Sequence, residues 1–328
     1  MKYLEKISPF DSIKIDISLM FSRHKVAAIN FVPEKWNKAK NAEKLEHYLS
    51  LAAKRGCEII VAPEGILEGY VISDVIWHRE RVEAFYDIAE PLDGKYIKYF
   101  QSLAKKLKTC FCFGFARRVN DEIFNSAIFI DYDGKICGVY NKVSESTYTT
   151  WKFSRQGSTI RAFETPFGKC GILICSDRWY AIVARTLALD GAEFFLIPTY
   201  GSKNKAQNQA VLSRARENGV PVVQANVGAN LIINRGEIVA YDFGKNKITT
   251  GFIDIPVKAT EKSHKMAEIA FMKCQKKMQE NWYKMMRKRL KKNLVTKDEK
   301  RHFISDTDFE KLKNSNWGEK LVKWKPEI

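Results

Sequence analysis

The stretch GILICSDRWY, residues 171–180, decides how this sequence is read. An apolar run leads to a single cysteine, Cys175, followed at once by a hydroxyl, a carboxylate, a guanidinium and two aromatics. Such a run buries itself as a strand, and the residue at its tip is either a small buried hydrophobe or a nucleophile. A cysteine becomes a catalyst only where its surroundings favour the thiolate, supply a base and stabilise an oxyanion. Those parts must come from elsewhere in the chain.

Outward from Cys175, residues 26–255 read as alternating strands and helices. VAAINF (26–31) predicts a short strand, and residues 35–55 a helix with Trp36, Ala39, Leu45, Leu49 and Ala52 on one face. CEIIVAPEG (57–65) predicts a buried strand running into a turn, followed by helices near 78–90 and 94–107. TCFCFGFA (109–116) and IFNSAIFID (123–131) are strands, and DYDG (131–134) is a hairpin turn into KICGVYNK. FETPFGKCGILIC is a second hairpin turning at Pro166–Gly168. A helix ending near Gly191, a strand, a helix at 204–217, the strand VPVVQANV and a hairpin at Arg235–Gly236 complete the pattern. Short Val/Ile/Phe-rich strands with intervening helices predict one three- or four-layer α/β domain.

Two strand tips carry the missing chemistry. Glu64, in VAPEG, is a carboxylate just past a buried strand, where lost hydration suits it to proton transfer. Lys142, in VYNKVS, is an ammonium able to stabilise a thiolate and the oxyanion of a tetrahedral intermediate. The backbone N–H of Ser176 is a second oxyanion donor. Each alone has a plainer reading, as a cap, a solvated lysine or a core cysteine; the joint pattern carries the weight.

That order of motifs resembles the nitrilase superfamily of carbon–nitrogen hydrolases. IIVAPEG is similar to its Glu motif, VYNKV to its Lys motif, and GILICSDRWYAIVARTLALDGAEFFLIPTYGS to its Cys motif with the helix and strand that follow. RARENGVPVVQANVG resembles the next family segment, and the likeness spans roughly residues 25–255. The resemblance implies a four-layer αββα sandwich, assembly into dimers or larger oligomers, and a thiol mechanism with no metal or organic cofactor. It implies Cys175 as nucleophile, Glu64 as general base and acid, and Lys142 as oxyanion stabiliser. Asp177 after Cys-x resembles the amidase and carbamoylase branches more than nitrilases proper. The expected substrate is a small linear amide or N-carbamoyl compound, cleaved through a thioester with release of ammonia. The alternatives are a nitrilase or acyl transferase on the same fold, or a catalytically silent scaffold.

Two positions depart from the family. The second Glu that many members carry about eight residues after the Lys falls here on Thr150, with Glu145 the nearest acid, and the Pro-Glu after the Cys is Ala181-Ile182. Around the site, Ser176, Arg178 and Tyr200 are candidate substrate contacts. Arg178 offers a two-pronged grip on a carboxylate or pairs with a neighbouring acid. Trp179, Tyr180, Tyr148 and Tyr200 wall a pocket or belong to the core.

Composition sets the limits. Apolar residues at 45% and charged residues at 28% suit a soluble globular protein, and no window reaches the ~18 apolar residues of a membrane span. The seven scattered cysteines predict a reduced, cytoplasmic protein, and the five isolated histidines argue against a metal centre. The net charge of +17 is uneven: residues 256–328 hold 20 Lys+Arg against 10 Asp+Glu. The sequence divides into an N-terminal extension (1–24), a hydrolase domain (25–257) and a basic helical extension (258–328). In the last, Phe271, Cys274, Met278, Trp282 and Met285 form an apolar stripe among nine Lys/Arg between 273 and 292. That helix predicts packing on a partner or on the core. Contact with nucleic acid or an anionic membrane is the less favoured use, since no nucleic-acid-binding signature accompanies it.

Overall fold

The polar residues ahead of VAAINF are part of a strand as well. β1 (Phe21–Asn30) begins five residues earlier than the apolar segment predicts, because β12 (Lys247–Pro256) pairs antiparallel with its whole length, from Phe21↔Pro256 to Asn30↔Lys247. The computed structural model describes residues 20–144, 154–201 and 205–258, with part of 260–284. Within it, Met20–Ala259 form one compact unit.

Two six-stranded sheets build that unit. The first has the order β12-β1-β2-β3-β4-β5, with β2 at Ile59–Val61, β3 at Cys110–Val119, β4 at Glu122–Ile130 and β5 at Ile136–Asn141. The second has the order β11-β10-β9-β8-β7-β6, running from β6 (Phe163–Thr165) through β7 (Gly168–Ile172), β8 (Phe194–Thr199), β9 (Val222–Asn226) and β10 (Ala229–Asn234) to β11 (Glu237–Phe243). Reading from β12 in one sheet and from β6 in the other, the pairings follow one succession: antiparallel, two parallel, two antiparallel.

Strand alternation sends successive side chains to opposite faces. Val26, Ala28, Ile59, Val61 and Phe129 of the first sheet meet Ile172, Phe194, Leu196 and Val223 of the second in an apolar layer. Ala27, Ile29, Ile60 and Phe113 face the other way, onto α1 (Lys38–Lys54) and α4 (Lys95–Leu107) through Leu45, Leu49, Ile97 and Phe100. On the far side, Phe195, Ile197 and Val222 pack against α5 (Ala181–Leu189) and α6 (Lys205–Asn218) through Val183, Leu187, Val211 and Ala215. This is the four-layer αββα sandwich. Strands covered on both faces explain why their sequences are near-continuous apolar runs.

A 3-10 turn (Arg79–Arg81) and α3 (Val82–Ile88) stand where the helix at 78–90 is predicted, and an unpredicted short helix, α2 (Ile72–Trp77), precedes them. The described part of the basic extension is helical over 261–266 and 268–273, with Phe271 exposed. Cys274, Met278, Trp282 and Met285 of the predicted stripe lie outside the described residues. No helix among the described residues is long and apolar enough to cross a membrane.

Candidate active site

Glu64 sits in the loop that leaves β2, fully buried. β3 passes so close beneath it that a Cβ on Gly114 would lie 2.5 Å from the Glu64 Cα. Its carboxylate takes three donors. Lys142 Nζ and Asn125 Nδ2 reach Oε1 at 2.9 and 2.7 Å, and the Tyr200 N–H reaches Oε2 at 2.9 Å. Lys142, just past β5, is 1% exposed and forms a buried ion pair with Glu64. Burying both charges is costly unless each is well coordinated, and the extra donors on Glu64 meet that condition.

Cys175 stands beyond β7, opening a 3-10 turn over Cys175–Trp179. Its φ is +46°, a left-handed conformation that costs a non-glycine residue on the order of 1–3 kcal/mol. The partly exposed Sγ lies 3.9 Å from the Tyr200 carbonyl oxygen. Burial and the Glu64 carboxylate push the thiol up to about 12, against the opposing pull of Lys142 and Arg178. The Cys175 thiol is therefore neutral at rest, and Glu64 is the carboxylate beside it.

Asp177 holds the strained turn. Its Oδ2 accepts the Ile174 N–H at 2.9 Å and the Tyr140 hydroxyl at 2.8 Å; its Oδ1 accepts the Ser144 N–H at 3.0 Å and the Ser144 hydroxyl. The Cys175 turn is thereby tied to the segment that carries Lys142. Burial raises the Asp177 carboxyl, and the bonds from Ser144, Ile174 and Tyr140 oppose that rise.

The three remaining candidates are placed differently. The Ser176 hydroxyl donates to the Ser144 carbonyl at 2.5 Å, which leaves its backbone N–H, at the head of the turn, as its group for a ligand. Arg178 is 1% exposed and pairs with no acid among the described residues; its Nη1 donates to Gln224 Oε1 at 3.0 Å and Thr199 Oγ1 at 3.3 Å. Tyr200 meets the site through its backbone, and its ring stacks on Tyr70 at 4.4 Å and 7°. Trp179 and Tyr180 are about half exposed, so they are not core residues, at 49% and 51%. Tyr148, Thr150 and Glu145 lie outside the described residues.

Sequence reasoning missed Asn125 as a partner of Glu64 and Asp177 as the clamp of the turn. Asn125 left a signal, an amide inside the apolar strand run of β4, where such residues are depleted; Asp177 lies past its run, in the turn after Cys175. It also missed Glu68, a carboxylate 4% exposed whose Oε2 accepts the Ala116 N–H at 2.9 Å. Among the described residues no group of three or more His, Cys, Asp or Glu side chains is arranged to hold a metal ion.

The family model for carbon-nitrogen hydrolases matches residues 25–252. A citrullinase of Francisella tularensis is 31% identical over 228 residues, covering 65% of this chain and 77% of that one. An N-carbamoylputrescine amidase of Oryza sativa is 31% identical over 241 residues, covering 70% and 76%. Among solved structures, an amidase from Nesterenkonia sp. superposes with a TM-score of 0.60 at 17% identity, over 71% of this chain and 90% of that one. With the sandwich, the Glu64–Lys142 pair and the cysteine turn in place, this chain belongs to the carbon–nitrogen hydrolase family. It is a hydrolase of the nitrilase superfamily, in the amidase and carbamoylase-like branch.

Proposed function

We propose that the enzyme hydrolyses a small N-carbamoyl compound or linear amide through a thioester on Cys175. The observation that carries this reading is the buried Glu64 carboxylate, held by Lys142, Asn125 and Tyr200 beside a neutral thiol. Glu64 takes the Sγ proton as sulfur attacks the carbonyl carbon. The oxyanion is met by Lys142 Nζ and the Ser176 N–H. Collapse breaks the C–N bond, and Glu64 returns its proton to the departing ammonia. Water then attacks the thioester while Glu64 accepts its proton; the thiolate leaves and is reprotonated. An amide yields an acid, and a carbamoyl compound yields a carbamate that loses carbon dioxide. The likeness to a citrullinase and to N-carbamoylputrescine amidases supports a ureido-bearing substrate.

Ammonia release across a panel of amides, N-carbamoyl amines, N-carbamoyl amino acids and nitriles tests the reading, with Cys175→Ala alongside. Turnover on ureido compounds, abolished in that variant, is expected. Preference for nitriles, or turnover that survives Cys175→Ala, contradicts it.

The same reading places the enzyme in a reducing cytoplasm, supported by free thiols at Cys57, Cys110, Cys112, Cys137, Cys170 and Cys175. It also makes the enzyme a homodimer or larger assembly, supported by Ile182 and Leu189 of α5, exposed at 68% and 71%.

A further inference from the structure

Arg178 lies three residues past Cys175 on the same 3-10 turn. Three residues complete one turn of such a helix, so positions i and i+3 share one edge of it. The guanidinium stays charged at any working pH. It is 1% exposed, and among the described residues its Nη1 donates to the neutral acceptors Thr199 and Gln224 and its buried Nε has no acceptor. No carboxylate pairs with it among the described residues.

The other charges nearby are spoken for. Lys142 and Glu64 form an ion pair, and both Asp177 oxygens accept donors from Ile174, Tyr140 and Ser144. Among the described residues, the site therefore carries a buried positive charge without a fixed counter-charge. Such a charge costs several kcal/mol, and an apolar side chain of similar size would give a more stable core. A purely structural role does not account for it.

We propose that Arg178 is an electrostatic positioning residue for the nucleophile, whose uncompensated charge favours moving negative charge from the Glu64 carboxylate onto the Cys175 sulfur. The proposal rests on Cys175 being the nucleophile. When Glu64 takes the thiol proton, one unit of negative charge passes from carboxylate to sulfur and the total charge is unchanged. The gain depends on which anion sits closer to Arg178: Cys175 is one residue-triplet away on the same edge of the same 3-10 turn, whereas Glu64 belongs to the separate loop after β2. The groups facing the sulfur are Glu64 from the loop after β2, Lys142 from beyond β5, Arg178 on its own turn and the Tyr200 carbonyl after β8.

The test is the pH profile of Cys175 alkylation by iodoacetamide, a neutral reagent, read beside steady-state ammonia release. Arg178→Gln is expected to raise the apparent thiol pKa by about one unit, which slows alkylation at pH 7.5 about tenfold. It is expected to lower kcat with KM within about threefold, on neutral and carboxylate-bearing substrates alike, while Arg178→Lys keeps most of the wild-type profile. Gln224→Glu leaves Arg178 in place but gives it a counter-charge. It is expected to slow alkylation likewise, which keeps the test open if Arg178→Gln does not fold. An unchanged alkylation profile in Gln224→Glu or in folded Arg178→Gln overturns the proposal. So does a rise in KM confined to carboxylate-bearing substrates, which makes Arg178 a substrate contact. Turnover that survives Cys175→Ala is a separate failure, of the nucleophile assignment itself.

Discussion

Asn125 and Glu68 both act near the Glu64 carboxylate, and their consequences differ. Asn125 donates to the Glu64 oxygen that also takes Lys142. Asn125→Ala removes a donor from a buried carboxylate without creating a charge. It is expected to lower kcat about 10- to 100-fold, short of the roughly 100- to 10,000-fold of a whole general-base contribution, and to cost about 1–3 kcal/mol of stability for the lost donor. Burial pushes the Glu68 carboxyl from its ordinary 4.5 up to about 7, opposed by the Ala116 N–H. A carboxyl raised on folding stabilises the native state below its unfolded pKa, and that stability is lost as pH rises toward about 7. Glu68→Gln keeps the shape without the charge. Its advantage over wild type is expected to grow by about 2 kcal/mol between pH 5 and pH 8, at 1.36 kcal/mol per pKa unit; urea melts at the two pH values measure it. An advantage that shrinks over that interval would contradict the burial of Glu68.

Elements bring these side chains together, and here the sequence was legible in part. The tips after β2, β5 and β7 stood out because a lone Glu, Lys and Cys each follow an apolar run. Asn125 did not, because its contact with Glu64 spans 61 residues and depends on how β4 lies against the loop after β2. β12 escaped notice for a related reason. Its pairing with the polar first half of β1 joins residues more than 200 positions apart, such as Arg23 and Asp254, and no local period announces it. The role of Asp177 was hidden likewise, since three of its four donors come from Tyr140 and Ser144, far back along the chain. The close crossing of β3 under Glu64 yields a test at this scale. A Cβ on Gly114 would lie 2.5 Å from the Glu64 Cα and 3.0 Å from the Gly65 nitrogen, both backbone atoms that cannot swing aside. Gly114→Ala is expected to displace Glu64, lowering kcat/KM at least about tenfold and stability by about 1–3 kcal/mol, the usual cost of overpacking. A variant that melts and turns over like wild type would show that the loop yields freely.

The whole molecule repeats one strand order in two sheets and puts its chemistry where the loops of both converge: Glu64 and Lys142 from the first, Cys175 and Tyr200 from the second. Sheet-to-sheet packing therefore sets the distance between Glu64 and Cys175, and damage to the central apolar layer is expected to disturb that pair. On the outside, α5 exposes Ile182 and Leu189. Ile182→Asp with Leu189→Asp is expected to shift the molar mass from light scattering to that of a monomer. An unchanged mass would place the interface elsewhere. The central claim is that Cys175 carries the acyl group during turnover. Its most direct test is intact-protein mass spectrometry of an acid-quenched reaction with a slowly hydrolysed amide, followed by peptide mapping. The expected result is an adduct of the acyl mass on the Cys175 peptide, absent from Cys175→Ala. Steady turnover with no adduct on that peptide, or undiminished in the variant, would contradict the account.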